Sequence, residues 1–414
     1  MEFTVRACSG HGRVGSLRLA SGLEFETPSL LMITRRGLPV VIPPEMLMDL
    51  HPDSRACQFT PMHFLEDPLA AVVAKAGGVH KLASLTGFAM VAVARDSLGN
   101  EIAGEEASNL GASFETSSGR RIVGLEKYME VVNACKPDLW VSLPDEVPHW
   151  VPEKRNRESV DHTSQWLDHC LSLQHAEHGN RCLGVVVGAG SLEERARSAE
   201  QAATRNVAGF SLAGFGLGED VAQRGFHLEV AIAKLPNDKL RHVCGLGSPE
   251  EVLQAVGAGI DLLDSTYPYM LTKECLAMTF PLKMEVPLRN ADRDMQPTPD
   301  HGVASGFSLA KVNLRSATYG GGRIDETPLV TGCKCYTCKR HTKVYINQLL
   351  NSNETLAQTL LEIHNTYHYL EFFKAIRESI KADKFHEFRT WFTSQRQELG
   401  VLSLGNIPRV VSCN

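Results

Sequence analysis

Three cysteines, Cys333, Cys335 and Cys338, lie within six positions of the sequence. A Cys-x-Cys-x2-Cys spacing puts three sulfurs on one tight turn, and thiolate sulfur is a preferred ligand of Zn²⁺. The other eight of the 11 cysteines are scattered along the chain, as expected for free cysteines that pack as small hydrophobes. Because clustered thiolates without a metal repel one another, the spacing predicts a metal site.

A zinc site of this type needs a fourth ligand, which a distant imidazole can supply. The candidates are His341, His364 and His368, and 25 residues separate Cys338 from His364. We favour His364, because a ligand from a separate helix lets the ion hold that helix against the cysteine turn. Four protein ligands leave no open coordination position, so the predicted role of one Zn²⁺ is structural.

The length and composition predict a globular protein with a substantial core. The chain has 414 residues, 43% of them hydrophobic, which is enough for one large domain or two ordinary ones. An odd number of cysteines without a regular framework indicates a reducing compartment. Neither a secretory leader nor an apolar run approaching about 18 residues is visible. We therefore expect a soluble intracellular protein without disulfides.

Charge is unevenly distributed along the sequence. Lys plus Arg number 42 against 48 Asp plus Glu, and the net charge of −6 argues against broad nonspecific binding of nucleic acid. Between Cys333 and Arg396, however, ten basic residues stand against six acidic ones, a net of +4. This local excess could meet a phosphate backbone. It is equally compatible with an ordinary solvated helix face.

Two patterns predict the secondary structure that precedes the cysteines. Residues 12–19 and 23–28 alternate apolar and polar side chains around a short turn, which indicates a β-hairpin. Short apolar runs then recur, separated by helical patterns, two of which open with the Ser-x-x-Glu capping boxes of Ser191 and Ser248. The runs occupy residues 139–143, 183–187, 207–212, 243–246 and 260–264. Alternation of this kind predicts a parallel sheet with helices outside it.

The fold class that fits best is α/β, a (β/α)8 TIM-type barrel with an N-terminal β-hairpin and a C-terminal zinc-binding subdomain. About 280 residues precede the zinc region, close to the roughly 250 that such a barrel usually needs. A doubly wound sheet would instead require a glycine-rich phosphate fingerprint after an early strand, and the sequence has none.

Composition divides the chain into four segments. We predict a barrel with its hairpin over residues 1–285, a polar and turn-rich mobile loop over 286–310, a zinc-binding subdomain with C-terminal helices over 311–400, and a tail over 401–414. In the helical part, apolar residues fall on one face. Three cations fall on or beside the other face, and they are the candidate nucleic-acid contacts: Lys374, Arg377 and Lys381.

Residues 332–380 closely resemble the zinc subdomain of tRNA-guanine transglycosylases, which exchange guanine for queuine or a precursor in tRNA anticodons. The resemblance rests on the cysteine motif, the 25-residue gap, the Ile-His-Asn triplet around His364 and residues 376–380. Residues 12–28 resemble the opening hairpin of that family, and residues 236–264 resemble its late barrel strands. The resemblance implies a (β/α)8 barrel with a zinc module, in agreement with the patterns above.

The family reaction is a double displacement in which one aspartate attacks the ribose C1′ and a second takes part in acid/base chemistry. By resemblance, Asp264 falls where the nucleophile falls, and Asp145 resembles the aspartate that recognises the heterocycle. A self-sufficient tRNA-guanine transglycosylase that uses Asp264 as its nucleophile is therefore one interpretation.

Three departures from the family pattern favour a member without catalytic residues. The family's Asp-Ser-Gly-Gly-Phe-Gln segment, which supplies the other catalytic aspartate, is replaced by the largely apolar residues 86–93. Val187 stands where a glutamine hydrogen-bonds the base, and the expected Pro-Thr-Arg after Asp264 reads Pro268-Tyr269-Met270. An unpaired purine edge costs about 1–3 kcal/mol per group, and loss of an acid/base residue costs about 10²–10⁴-fold in rate.

The resemblance together with these departures implies the non-catalytic subunit of a heterodimeric queuine tRNA-ribosyltransferase. Its partners would be the catalytic subunit and tRNA, and queuine would replace guanine at the wobble position of the tRNAs for aspartate, asparagine, histidine and tyrosine. The chain could also form a homodimer when alone. The resemblance further implies cytoplasmic residence, with peripheral association at the mitochondrial outer membrane.

Overall fold

The computed structural model describes residues 1–66, 68–97, 111–116, 119–175, 179–264, 266–284, 307–308, 311–315 and 325–398. Contacts divide the chain into two compact units, and the boundary lies between Thr266 and Tyr267. Residues 267–284, which the sequence analysis assigned to the barrel domain, are thus grouped with the second unit. The predicted mobile loop 286–310, apart from residues 307–308, and the predicted tail 401–414 lie outside the described residues.

The first unit opens with a three-stranded antiparallel sheet of Glu2–Ser9, Gly12–Arg18 and Glu24–Thr27. The second and third strands form the predicted hairpin, with Arg18 opposite Glu24. The sequence analysis missed the first strand, although its residues alternate between half-buried and exposed positions, the pattern of a strand with one covered face.

Eight parallel strands follow and close into a barrel, because the last of them pairs with the first. Their side chains are almost all buried, as expected for parallel strands covered on both faces. The strands are Ser29–Arg35, Ala56–Phe59, Ala89–Ala92, Leu139–Val141, Cys182–Val186, Gly209–Leu212, Leu240–Val243 and Leu262–Asp264. The predicted (β/α)8 barrel is confirmed.

Helices connect successive barrel strands. Ser191 and Ser248 cap two of them by accepting the backbone N–H groups of Glu194 and Glu251, as predicted. The helices of this unit are Pro44–Met48, the 3₁₀ turn Pro61–Phe64, Leu69–Ala76, Val79–Leu82, Leu125–Cys135, Glu153–Leu173, Leu192–Ala203, Val221–Ile232 and Pro249–Ala258. A short strand, Leu38–Pro39, and a hairpin, Ala112–Thr116 with Gly119–Val123, complete the unit.

The barrel interior forms one apolar cluster. Leu17 and Leu19, from the N-terminal sheet, belong to the same cluster as Leu31, Val91 and Val185 of the barrel strands. The sheet therefore packs against the barrel and closes one end of it, and the loops that follow the strands lie at the other end. We call that other end the barrel mouth.

The second unit combines short strands with long helices. Its elements are Tyr267–Lys273, Leu276–Met278, Phe307–Ser308, Lys311–Asn313, Tyr336–Arg340, Lys343–Asn351, Thr355–Lys381 and Phe385–Glu398. Its core includes Leu314, Ile346 and Leu361, all fully buried. Within the described parts of both units, no helix combines the length and apolar character that crossing a membrane requires.

Candidate metal centre and barrel mouth

The structure brings Cys333, Cys335, Cys338 and His364 together in the second unit. Their ligand atoms all lie within 4.8 Å of one another. The Nδ1 atom of His364 is 3.9, 3.6 and 3.3 Å from the three sulfurs, in chain order. Bond lengths of about 2.3 Å to sulfur and about 2.0 Å to nitrogen place tetrahedral ligands at comparable separations. This group can therefore hold a metal ion.

The scaffold around the cluster fixes each ligand. The Nε2 atom of His364 lies 2.8 Å from the carbonyl oxygen of Met278, so that nitrogen donates and Nδ1 keeps a free lone pair for a metal. The Thr337 hydroxyl, between two of the cysteines, donates to the carbonyl of Leu360 on the helix that carries His364. Asn365 accepts the backbone N–H of Met278 at 2.8 Å. These hydrogen bonds join the turn that bears the cysteines, the strand Leu276–Met278 and the helix Thr355–Lys381 around the site.

The close contacts within the cluster shift the pKa values of its members. Hydrogen bonds from Cys335 and Cys338 lower the pKa of Cys333. Hydrogen bonds with Cys333 and Cys338 raise the pKa of Cys335. Burial lowers the pKa of His364, but hydrogen bonds that the ring donates to the sulfurs of Cys333 and Cys338 raise it to about 9. Without a metal, the four groups cannot all lose their protons. A bound cation would stabilise all three thiolates together.

Asp264 ends the last barrel strand at the mouth and is 2% exposed. Its Oδ2 atom accepts hydrogen bonds from the Ser97 hydroxyl at 2.5 Å and from the Gln58 amide at 3.3 Å. Its Oδ1 atom accepts the backbone N–H of Gly245 at 3.0 Å. Internal donors therefore engage both oxygens, and a carboxylate stabilised in this way is a weaker nucleophile.

Asp145 follows the fourth barrel strand and is also 2% exposed. The two terminal nitrogens of Arg155 donate to its two oxygens at 2.8 and 2.7 Å. The Nδ1 atom of His162 lies 3.0 Å from Oδ2. Both partners lie on the helix Glu153–Leu173. The guanidinium group of Arg155 thus forms a bidentate ion pair with the Asp145 carboxylate.

The other charged groups at the mouth also have internal partners. Glu146 accepts the backbone N–H of Gly214 at 2.8 Å. Arg95 donates to the carbonyl of Phe215 at 2.7 Å and lies 3.9 Å from Glu146. Burial lowers the pKa of Arg95, but the charges of Glu146 and Asp264 outweigh burial and raise it above its usual value. A cation and several carboxylates therefore share this end of the barrel.

A comparison with protein families matches most of the chain. The model of the family described as queuine tRNA-ribosyltransferase aligns with residues 8–398. The chain belongs to this family. The barrel and the Cys3His group are the two features that the family resemblance led us to expect, and the structure contains both.

Relatives within the queuine tRNA-ribosyltransferase family include proteins named accessory subunit 2 and a bacterial queuine tRNA-ribosyltransferase. The queuine tRNA-ribosyltransferase accessory subunit 2 of Homo sapiens is 30% identical over 409 residues, covering 91% of this chain and 95% of that protein. The accessory subunit 2 of Danio rerio is 34% identical over 347 residues, covering 77% and 80%. The queuine tRNA-ribosyltransferase of Streptococcus agalactiae is 27% identical over 387 residues, covering 92% of each. The predicted resemblance is confirmed.

Two of the three departures from the family pattern lie in the barrel, and the third lies in the second unit. Residues 89–92 form the third barrel strand, and the apolar side chains from Phe88 to Val93 are buried. Val187 is buried in the barrel's apolar cluster. Pro268 is buried in the first helix of the second unit, and Tyr269 and Met270 lie on the same helix.

The three candidate nucleic-acid contacts differ in exposure. Lys374 and Lys381 are exposed on the helix Thr355–Lys381. Arg377 is only 3% exposed, so the expected basic face does not include its guanidinium. The reason is that this helix packs on most sides, and its own buried residues, such as Phe372 and Phe373, are not confined to one stripe.

Sequence reasoning missed Arg155 and Arg95, which lie near the candidate aspartates at the barrel mouth. Arg155 occupies the first turn of the helix after Asp145, ten positions along the chain, and Arg95 follows the third strand. Residues in loops after barrel strands converge at one end. A search of those loops for cations near the candidate aspartates could therefore have identified both.

Proposed function

We propose that this chain is the non-catalytic subunit of a heterodimeric queuine tRNA-ribosyltransferase. In this role it supports exchange of guanine for queuine at the wobble position of the tRNAs for aspartate, asparagine, histidine and tyrosine. One observation carries the proposal: the positions where resemblance expects a catalytic aspartate and a base-binding glutamine lie in the buried apolar residues 88–93 and at Val187.

The chemistry of the mouth supports this role. A purine edge that met Val187 would lose its hydrogen bonds, at about 1–3 kcal/mol for each unpaired group. Without the aspartate that the family uses for acid/base chemistry, the rate would fall by about a further 10²–10⁴-fold. Asp264 is already engaged by the Ser97 hydroxyl and by Gln58. The barrel therefore fits a role in positioning the catalytic subunit or the tRNA better than a role in base exchange.

The metal in this proposal is one structural Zn²⁺. Three thiolates and one imidazole are a donor set that zinc prefers, and four protein ligands leave no place for a reacting water. Cys333, Cys335, Cys338 and His364 would hold it. The ion would fix the turn that bears the cysteines to the helix that bears His364.

An exposed aromatic surface lies beside the cysteines and fits a subunit contact. Tyr336 and Tyr345 are 41% and 40% exposed. His341 stacks on Tyr345 with ring centroids 5.0 Å apart, and Arg340 lies 4.8 Å from the centroid of Tyr336. Aromatic and arginine side chains are enriched at protein interfaces. We assign this aromatic surface to the contact with the catalytic subunit, or with a second copy when the chain is alone.

By the family resemblance, the proposal includes cytoplasmic residence and peripheral association at the mitochondrial outer membrane. Fractionation of cells that express the tagged chain would test this part. Recovery in a soluble organelle lumen would contradict it.

Base exchange by purified proteins tests the proposed function. Radiolabelled guanine and a cognate tRNA would be incubated with this chain, with the catalytic subunit, and with both. We expect no incorporation by this chain alone and full incorporation by the pair. Asp264→Asn should leave the activity of the pair unchanged within about twofold. A residue that takes no part in catalysis does not cause the large rate loss that removal of an acid/base group causes.

The opposite result would identify a self-sufficient transglycosylase. Incorporation by this chain alone, abolished by Asp264→Asn, would show that Asp264 is a nucleophile and would overturn the proposal. Size-exclusion chromatography of a Tyr345→Glu variant gives an independent measurement. A charged side chain in the aromatic surface should separate the two subunits, whereas Lys154→Glu on a barrel helix, where the lysine is 91% exposed, should not.

A further inference from the structure

The carboxylate of Asp145 is fixed in place before any ligand arrives. Its backbone N–H donates to the Thr163 hydroxyl at 3.1 Å, and its carbonyl accepts from the Ser159 hydroxyl at 2.6 Å. Both hydroxyls belong to the buried side of the helix Glu153–Leu173. The backbone of Asp145 is therefore held against that helix at the barrel mouth, and its two carboxylate oxygens contact Arg155 near the start of the helix.

The planar guanidinium group of Arg155 donates two N–H groups to this carboxylate. The two donor distances, 2.8 and 2.7 Å, are nearly equal, as in a symmetric bidentate pair. The Arg155 side chain is 17% exposed, whereas the Asp145 side chain is 2% exposed, so the arginine covers the acid. His162 supplies one additional contact and stacks on Trp166, with 7° between the ring planes.

Guanine presents the same donor pattern. Its N1–H and its exocyclic amino group form two parallel N–H bonds on one edge, and a carboxylate can accept both. We propose that Arg155 is an intramolecular substitute for a guanine-type base: its guanidinium occupies Asp145 and thereby excludes such a base from this barrel. This inference rests on the proposed function, in which the catalytic subunit alone binds the base.

Neighbouring carboxylates do not offer the base an alternative. Asp264 accepts from Ser97 and Gly245, and Glu146 accepts from Gly214. The donors to Asp264 and Glu146 are the Ser97 hydroxyl and the backbone N–H groups of Gly245 and Gly214, all in loops that follow barrel strands. Arg155 differs because it is a long side chain from a following helix, and its loss would free a bidentate acceptor.

Equilibrium binding of guanine to the full chain tests the inference. Arg155→Met keeps the apolar stem of the side chain and removes the guanidinium group. We expect no saturable guanine binding by the original chain at millimolar concentration. The Arg155→Met variant should bind at least about tenfold more tightly, because the base replaces the missing donors of a buried acceptor. Hypoxanthine, which lacks the exocyclic amino group, should bind the variant at least about tenfold more weakly than guanine.

Arg157→Met is the matched control. Arg157 lies on the same helix, its side chain is 59% exposed, and it pairs with Glu153 rather than with Asp145. This variant should bind guanine no better than the original chain. If Arg155→Met does not fold, Arg155→Ala with N-methylguanidinium gives a second measurement. The cation should raise the Tm of Arg155→Ala, and it should leave that of Arg157→Ala unchanged.

Two results would overturn the inference: a folded Arg155→Met variant that binds no guanine, or an original chain that binds guanine as tightly as the variant. If Arg155→Met does not fold, failure of N-methylguanidinium to stabilise Arg155→Ala would also overturn it. The exchange assay keeps these failures distinct from failure of the proposed function. Base exchange by the unaltered chain alone refutes the non-catalytic role, whereas absent guanine binding in an inactive chain refutes only the role of Arg155.

Discussion

His364 is bound through both of its ring nitrogens, and this fixes how it can act. Nε2 contacts the carbonyl oxygen of Met278 at 2.8 Å, and Nδ1 faces the sulfur of Cys338 at 3.3 Å. A carbonyl partner on one nitrogen selects the tautomer whose other nitrogen can bind a metal. The residue can therefore bind a metal through Nδ1 while Nε2 links the helix Thr355–Lys381 to the strand Leu276–Met278.

Replacing His364 should remove the metal. For His364→Gln we expect bound zinc to fall from about one equivalent per chain to less than about a tenth, because three cysteines alone no longer complete the tetrahedral site. His341→Gln is the control, since His341 stacks on Tyr345 outside the cluster. Elemental analysis of the purified variants measures both. Full zinc occupancy in His364→Gln would show that another residue is the fourth ligand.

The sequence predicted the three sulfur ligands from their spacing and favoured His364 among three histidines, but only the structure distinguishes His364 from the others. Cysteine spacing is a local property, whereas the choice among histidines depends on tertiary packing. His368 lies one helical turn beyond His364, yet its Nε2 contacts the carbonyl of Phe280 at 2.9 Å. For the same reason the sequence analysis noted Asp145 as a candidate but did not assign Arg155 as its partner.

A buried ion pair joins the N-terminal sheet to the barrel. Arg13, on the strand Gly12–Arg18, donates through Nε to Asp261 at 2.8 Å, just before the last barrel strand. Its terminal nitrogens also donate to the carbonyls of Asn237 and Lys239 at 2.7 and 2.8 Å. All three nitrogens of this guanidinium group thus make contacts between the sheet and the segments that precede two barrel strands.

Breaking this junction should destabilise the protein strongly. Arg13→Met leaves the Asp261 carboxylate buried without its cation, which typically costs about 3–5 kcal/mol. Arg18→Met is a matched control on the same strand, because Arg18 pairs with Glu24 at the exposed surface. Exposed pairs contribute little to stability. Urea denaturation of both variants measures the difference, and equal midpoints would show that the Arg13 pair does not anchor the sheet.

Elements with strong local patterns were predictable from the sequence. Parallel barrel strands read as continuous apolar runs, because both of their faces are covered. The helix Thr355–Lys381 was predicted as amphipathic, but it is buried on most sides. A cation in such a helix can be exposed, as Lys374 is, or buried, as Arg377 is. Sequence spacing cannot distinguish these cases, because neighbouring elements such as Phe385–Glu398 decide them.

Across the whole molecule, opposite charge accumulates in different parts of the chain. The net charge is −6, although residues 333–396 carry ten basic and six acidic side chains, a net of +4. Lys374 and Lys381 are the exposed members of the predicted contact set. An acidic protein with a local basic surface is suited to bind a polyanion in one orientation rather than at random. We therefore keep these two lysines as the proposed phosphate contacts and exclude Arg377.

Charge reversal at both lysines should weaken tRNA binding by the heterodimer and reduce its dependence on salt. Each phosphate contact contributes about 0.7–0.9 to the slope of log affinity against log salt concentration. Lys374→Glu with Lys381→Glu should therefore lower that slope by about 1.5. The control reverses Lys75 and Lys154, exposed lysines on barrel helices, and makes the same change in net charge. If both pairs of variants bind tRNA alike at each salt concentration, only overall charge matters and this helix does not contact phosphates.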